Sequence, residues 1–242
     1  MRSLIILAST AALTACGMTA DAQEGGSGRT GQRSFSVGAF DSVGLAGSHD
    51  VVVAVGGAPS VRAEGDPDIL EKLDVRVDGS TLRIGTQKGF SWSPGFMRNR
   101  KPVTVYVTVP SLRGAAVAGS GDMKVDKVEG DRFKGAVAGS GDLRVAALRV
   151  GEAEFAVAGS GDVRAAGSAQ RLRAKVAGSG DLDLSGLEAR DAEVSVAGSG
   201  GVRARATGTA DVSIMGSGDV TMAGGAQCSV KKRGSGSVNC QG

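Results

Sequence analysis

The chain reads as an all-β protein: a right-handed parallel β-helix of coils about 18–20 residues long, with an N-terminal β-rich lobe and one short helix. Three observations predict this. The phrase Val-Ala-Gly-Ser-Gly-Asp is complete at Val117–Asp122, Val137–Asp142, Val157–Asp162 and Val176–Asp181. It blurs at Val196–Gly201 and Ile214–Asp219 and ends in Arg233–Ser237. Its serines, at 120, 140, 160, 179, 199, 217 and 235, are 20, 20, 19, 20, 18 and 18 residues apart, the near-constant step of a stacked repeat. Within each repeat, apolar and polar residues alternate as a strand with one buried face requires. Composition agrees, because 40 glycines and only 3% aromatics in 242 residues suit a core of stacked Val, Leu and Ala. Glycine this abundant without a G-X-Y period excludes collagen.

Residues 1–15 read as a signal peptide. Met1-Arg2 is a short positive start, and the apolar run Leu4–Ala15 is too short to span a bilayer. Two cleavage sites are legible. Leu13-Thr14-Ala15-Cys16 has the form of a bacterial lipobox, which would make Cys16 the lipidated first residue of the mature chain. Ala20-Asp21-Ala22 offers cleavage before Gln23 instead. Lipid on Cys16 leaves Cys228 and Cys240 as an even pair in an oxidising compartment, which favours the first. The expected location is the cell envelope, as an outer-membrane lipoprotein, with a soluble periplasmic or secreted form as the alternative. Residues 16–33, rich in Gly, Ser, Gln and Thr, form a flexible tether.

Residues 34–110 make the N-terminal β lobe. Val51, Val53 and Val55 share a face, and Val75 and Val77 lead through Asp78-Gly79, a hairpin signal, into Leu82 and Ile84. Val103, Val105, Val107 and Val109 alternate with Thr104, Tyr106 and Thr108 until Pro110 stops the strand. Between them, Asp66–Leu73 predicts a helix of about two turns, with Asp66 as cap, Pro67 at its first position and Ile69, Leu70 and Leu73 on one face. The stretch Lys88–Lys101 holds Phe90, Trp92 and Phe96, followed by Arg98, Arg100 and Lys101, around the turn Pro94-Gly95. It is a candidate contact loop, since aromatics beside arginines are common at recognition hot spots. The competing reading, a lid over the open first coil, is favoured because solenoid ends need capping.

Residues 111–242 are the coils, about seven of them. Phe133, Val137, Leu143 and Val145 fall on one track and Lys134, Ala136, Ala138, Ser140, Asp142 and Arg144 on the other; later coils repeat the split. Both glycines of each Gly-Ser-Gly fall in the inward register, which predicts a corner that tolerates no Cβ. His49 takes the second glycine slot of an early copy, Leu45–Asp50, so that corner is expected to turn differently. Stacking at ~4.8 Å would align Ser120, Ser140, Ser160, Ser179 and Ser199 as a hydroxyl ladder and Asp122, Asp142, Asp162 and Asp181 as a carboxylate ladder. Aligned carboxylates repel. The parallel column Lys124, Arg144, Arg164, Asp183 and Arg203 is placed to offset them, with Asp183 between Arg164 and Arg203. Cys228 and Cys240 read as a disulfide pinning the last coil.

The ladder could serve several chemistries. Calcium β-rolls need a nine-residue repeat and several oxygens per ion, and one Asp per coil beside a cation is a poor cage. Glycosidase chemistry needs two carboxyls in distinct environments, whereas these acids are single-file. An ice-binding face would need a paired threonine array. A charge-compensated architectural surface fits best. His49 is the single histidine, so a triad or an imidazole metal site has little to stand on, and no cofactor is implied. Lysines and arginines are interspersed with acids at a net charge of +3, which argues against nucleic acid as a partner.

The order of motifs resembles one family. A lipobox, Phe40-Asp41-Ser42-Val43, a Gly-Ser-x-Asp phrase, a short helix before a Val-x-Val-Asp-Gly hairpin, a Val-x-Val-x-Val-Pro strand and GSGD coils follow each other as in the GIN-domain family. That family is described as auto-transporter adhesin heads of bacterial envelopes, and the similarity spans roughly Phe35 to Cys240. The resemblance implies a parallel β-helix, a non-enzymatic surface protein and no catalytic residues. Expected partners are the membrane, through lipid, and a glycan or envelope protein. The alternatives are a carbohydrate-active enzyme on the same scaffold and a purely structural envelope protein.

Overall fold

The computed structural model describes residues 30–87 and 102–241. Their strands are β1 (Gly31–Phe35), β2 (Ser42–Gly47), β3 (Asp50–Val55), β4 (Ser60–Gly65), β5 (Leu73–Asp78), β6 (Thr81–Thr86), β7 (Thr104–Val109) and β8 (Gly114–Gly119). The long strands β9 (Met123–Gly139), β10 (Leu143–Gly159), β11 (Val163–Gly178), β12 (Leu182–Gly198) and β13 (Val202–Gly216) follow, then β14 (Val220–Ala223), β15 (Gln227–Arg233) and β16 (Val238–Cys240). A single helix, α1 (Pro67–Glu71), lies between β4 and β5. The strands stack as a parallel solenoid of about six turns.

Each long strand runs from just past one Gly-Ser-Gly corner to the next. It bends where alternation skips and two neighbours in a row face outward, as at Asp126-Lys127 and Ala146-Ala147. These bends also absorb the uneven step. Between β10 and β11 the pairing changes from Val145 opposite Ala165 to Leu148 opposite Gly167, so one residue is lost between those pairs. The remainder then runs in step to Gly159 opposite Gly178. Coil length therefore varies away from the Gly-Ser-Gly corner, and the corners stay in register.

The core is built column by column. Ile84, Leu45, Val117, Val137, Val157, Val176, Val196 and Ile214 stand one above another, all buried. Phe133 and Phe155 fill the widest part, with ring centroids 5.9 Å apart. Each faces a small residue in the neighbouring coil, Ala153 and Gly135 respectively, and a Cβ on Gly135 would press on the Phe155 ring. Large-against-small matching is how a close-packed interior avoids voids.

The strands before residue 110 belong to the same stack but not in chain order. β2 lies between β6 and β8, and β3 between β7 and β9. The coil made by β6 and β7 therefore sits beneath the coil made by β2 and β3. Antiparallel pairing then closes this end: β5 on β6, β4 on β7 and β1 on β4. Gly79 turns the β5–β6 hairpin at φ +60°. Helix α1 is shorter than the two turns predicted, because the chain passes through Lys72 straight into β5. Its cap is as expected: the Asp66 carboxylate accepts from the Asp68 N–H at 3.1 Å, and Ile69 and Leu70 are buried. Arg33 fastens β1 to it by donating to the Leu70 carbonyl at 2.8 Å. Antiparallel strands and a helix thus do the capping; the lid reading of Lys88–Lys101 lies outside the described residues.

Candidate functional site: the corner ladders

Each corner is made by two glycines with different duties. The first adopts φ between +122° and +134° from Gly47 to Gly234, a conformation that disfavours any side chain. The second, such as Gly141, is buried, and a Cβ there would overlap the carbonyl oxygen of Gly121 in the coil beneath. The two do not share the inward register: the first is only half-buried. The N–H groups of Ser140 and Gly141 both donate to the Gly119 carbonyl, at 2.9 and 3.0 Å, and the pattern repeats up the stack.

The His49 corner corrects an expectation. Gly47 has φ +134°, like the other corners, and its carbonyl accepts from Ser120 and Gly121 at 3.0 Å each. This corner turns as the others do. The second slot excludes a side chain only where a like corner lies beneath, and beneath this one lies the coil made by β6 and β7. The imidazole is buried there, with Nε2 3.3 Å from the Thr86 hydroxyl, and burial lowers its pKa against the opposing pull of Asp50.

The carboxylates do form a ladder, and what neutralises them is chiefly backbone. Oδ1 of Asp50 accepts from the Asp122 N–H at 3.3 Å. Asp122, Asp142 and Asp162 accept from Asp142, Asp162 and Asp181 at 3.0 Å each, and Asp181 accepts from Gly201 at 2.6 Å. Each acid thus receives a hydrogen bond from the coil above. The basic column is a lesser contributor, its one ion pair to the acid column being Arg164–Asp162 at 3.6 Å among the described residues. Asp183 does lie opposite Arg164 and Arg203 as predicted. Its carboxyl is held below the usual range first by the Ser185 hydroxyl and also by those two arginines. Ser120, Ser140, Ser160, Ser179 and Ser199 line up exposed beside the acids.

Two features escaped the sequence reading. Glu152 is buried and bridges coils: Arg132 donates to its Oε2 at 2.7 Å and Arg173 to its Oε1 at 2.9 Å. The Arg132 hydrogen bond is the main reason its carboxyl lies below the ordinary value. Half of the signal was available: Arg132 lies one 20-residue step before Glu152 and pairs with it in register, whereas Arg173 stands two residues beyond the in-register partner Arg171. A groove of about 400 Å3 lies at the first end of the stack. Gly44, Ala46, Ala116 and Ala118 are among its lining, with Arg76, Arg83 and Thr86. Arg76 pairs with Asp74, and Arg83 with Asp78 at 2.9 Å. Cys228 and Cys240 form the expected disulfide, and both occupy inward columns, opposite Ala210 and Met222.

Cys16 and the aromatic–arginine residues Phe90, Trp92, Phe96, Arg98 and Arg100 lie outside the described residues. Among the described residues no group of His, Cys, Asp and Glu is placed to hold a metal ion, and no helix is long and apolar enough to cross a membrane.

Comparison with known proteins bears on this arrangement. A family model described as "Putative auto-transporter adhesin, head GIN domain" matches residues 39–226. Among solved structures, a "putative adhesin" from Bacteroides fragilis is 22% identical with TM-score 0.81, over 89% of this chain and 98% of that one. A "putative lipid binding protein" from Parabacteroides distasonis is 25% identical with TM-score 0.69 over the same shares. A "putative adhesin" from Parabacteroides distasonis is 20% identical with TM-score 0.71, again over 89% and 98%. No curated protein matches the chain.

Proposed function

The chain belongs to the head GIN-domain family, described as "Putative auto-transporter adhesin, head GIN domain", and from that premise we propose that it is an exported, non-enzymatic envelope protein that binds a glycan or another envelope protein. Lipid on Cys16 holds it to a membrane, and of the expected tether, residues 16–33, the stretch Gly31–Arg33 belongs to β1 and pairs with β4.

One observation carries the non-enzymatic reading: the carboxylates of the ladder are each committed to a backbone N–H of the next coil. An acid so held is an acceptor locked in place, whereas a general acid must carry and release a proton toward a substrate. The ladder then builds the shaft, and binding belongs where repetition stops. The groove floored by Gly44, Ala46, Ala116 and Ala118 is such a place, and it reaches Thr86, two residues before Lys88. Phe90, Trp92, Phe96, Arg98 and Arg100 follow in the chain and supply the contact side chains.

Glycan-array binding of the intact protein, a variant lacking Phe90–Phe96 and the Arg83→Ala variant tests the contact. Binding lost in the deletion and weakened by Arg83→Ala supports it; undiminished binding in both overturns it. For the anchor, Cys16→Ser is expected to move the protein from the membrane fraction to the soluble one. Retention in the membrane would refute the lipid.

A further inference from the structure

One face of the shaft does not repeat coil by coil; it alternates. Before each Gly-Ser-Gly corner four side chains turn outward, and in β9 they are Arg132, Lys134, Ala136 and Ala138. The first two positions become Glu152 and Glu154 in β10, Arg171 and Arg173 in β11, and Asp191 and Glu193 in β12. Pairing runs without a slip through these positions, so the face carries four straight stripes: basic, acidic, basic, acidic. Within one copy neighbouring stripes pair, Arg132 with Glu152 at 2.7 Å, Lys134 with Glu154 at 3.5 Å and Arg173 with Glu193 at 3.1 Å. Charge is left over for a partner. The side chains of Lys134 and Glu193 are each 59% exposed. Arg171 is exposed and makes no hydrogen bond or ion pair among the described residues.

This order of stripes is complementary to itself in one orientation. A two-fold axis parallel to the strands, midway between β10 and β11, lays a second copy face to face with β9 against β12 and β10 against β11. Lys134 then meets Glu193 of the second copy, and Glu154 meets its Arg173. A two-fold axis along the shaft would instead set every stripe on itself, and like charges directly opposed are unfavourable. Beside the stripes, the columns of Ala136 and Ala138 are short side chains except at Lys175, which meets Ala156, and Met215. Met215 is 61% exposed, and the same axis sets it on Ala118. Asp211, the acid beyond the last stripe, meets Gly114 and no like charge. Six coils, β8 to β13, by four outward columns measure about 29 Å by about 26 Å, roughly 750 Å2. One side of a standard interface is about 800 Å2. We propose that this face is a homodimer interface, on which two copies of this chain pack with opposite coil order. The stripes set the orientation, and the short side chains beside them let the two sheets approach.

Sedimentation equilibrium of the full chain over a concentration series tests this, with Cys16→Ser in every sample so that no lipid drives association. The chain is expected to dimerise, and less tightly as salt is raised. Lys134→Glu alone and Glu193→Lys alone each oppose like charges at two places across the axis. Each should raise the dimer dissociation constant at least about tenfold. Mixed in equal amounts, the two variants oppose unlike charges at both places, and dimer should return. Each variant also loses a pair inside its own copy, which mixing cannot restore, so recovery reports the contact between copies. A chain that stays monomeric throughout, single variants that dimerise unchanged, or a mixture as weak as its parts overturns the proposal. Should either variant misfold, Arg171→Gln, which breaks no pair within a copy, is expected to weaken the dimer; an unchanged constant overturns it.

Discussion

Asp142 shows what a residue in this stack is for. Its carboxylate accepts from the Asp162 N–H while its own N–H donates to Asp122, so one side chain and one peptide group serve three coils. Asp142→Ala removes an acceptor from a half-buried N–H and is expected to cost about 1 kcal/mol. Asp142→Asn keeps an oxygen in place and should cost less; urea midpoints at constant slope decide, and equal losses would count against the ladder. His49 is the residue whose titration matters nearest neutrality. Its native pKa is lowered by burial, so below the unfolded value near 6.5 the unfolded chain binds more protons than the folded one. Stability is therefore full above about pH 6.5 and falls as pH drops toward the native pKa. His49→Gln should flatten that slope. Stability–pH curves that stay parallel would show the imidazole to be irrelevant.

At the scale of the element, the coil tolerates length changes in one place and forbids them in another. The 19-residue step into the coil of β11 is absorbed between the pairs Val145–Ala165 and Leu148–Gly167, where no corner lies. The Gly-Ser-Gly corner repeats without error because the second glycine touches the carbonyl beneath. Inside the coil, shape matching replaces bulk: Phe155 stands against Gly135, and Phe133 against Ala153. Phe155→Ala would open a void that rigid neighbouring coils cannot fill, and the expected loss is about 3–5 kcal/mol. A loss below about 1 kcal/mol would mean that the stack collapses locally around the missing ring.

Over the whole molecule, contact is with the coil below and the coil above, so stability should be graded along the axis. Antiparallel strands and α1 close one end, and the disulfide ties β15 to β16 in the last described coil. Reducing the Cys228–Cys240 bond should first release hydrogen-exchange protection in β15 and β16 and leave β9, β10 and β11 unchanged. Loss of protection in all coils together would show instead that the stack opens as one cooperative unit.

Much of this was written in the residue order. The serine spacing set the coil length, alternation sorted core from surface, Asp66-Pro67 placed the helix start, and Asp78-Gly79 placed the hairpin. These signals are local or strictly periodic, and periodic stacking converts sequence spacing directly into vertical neighbours. That is why the carboxylate ladder and the Asp183 position were legible before any coordinates. Tertiary structure decided what depends on non-repeating contacts. The order of layers, with β2 and β3 slipped between β6–β7 and β8–β9, follows from pairing between distant strands that no spacing encodes. The freedom of His49 to occupy a glycine slot follows from what lies beneath it. The partner of the carboxylates was a backbone N–H one coil above, a donor that every residue but proline carries and no sequence pattern singles out.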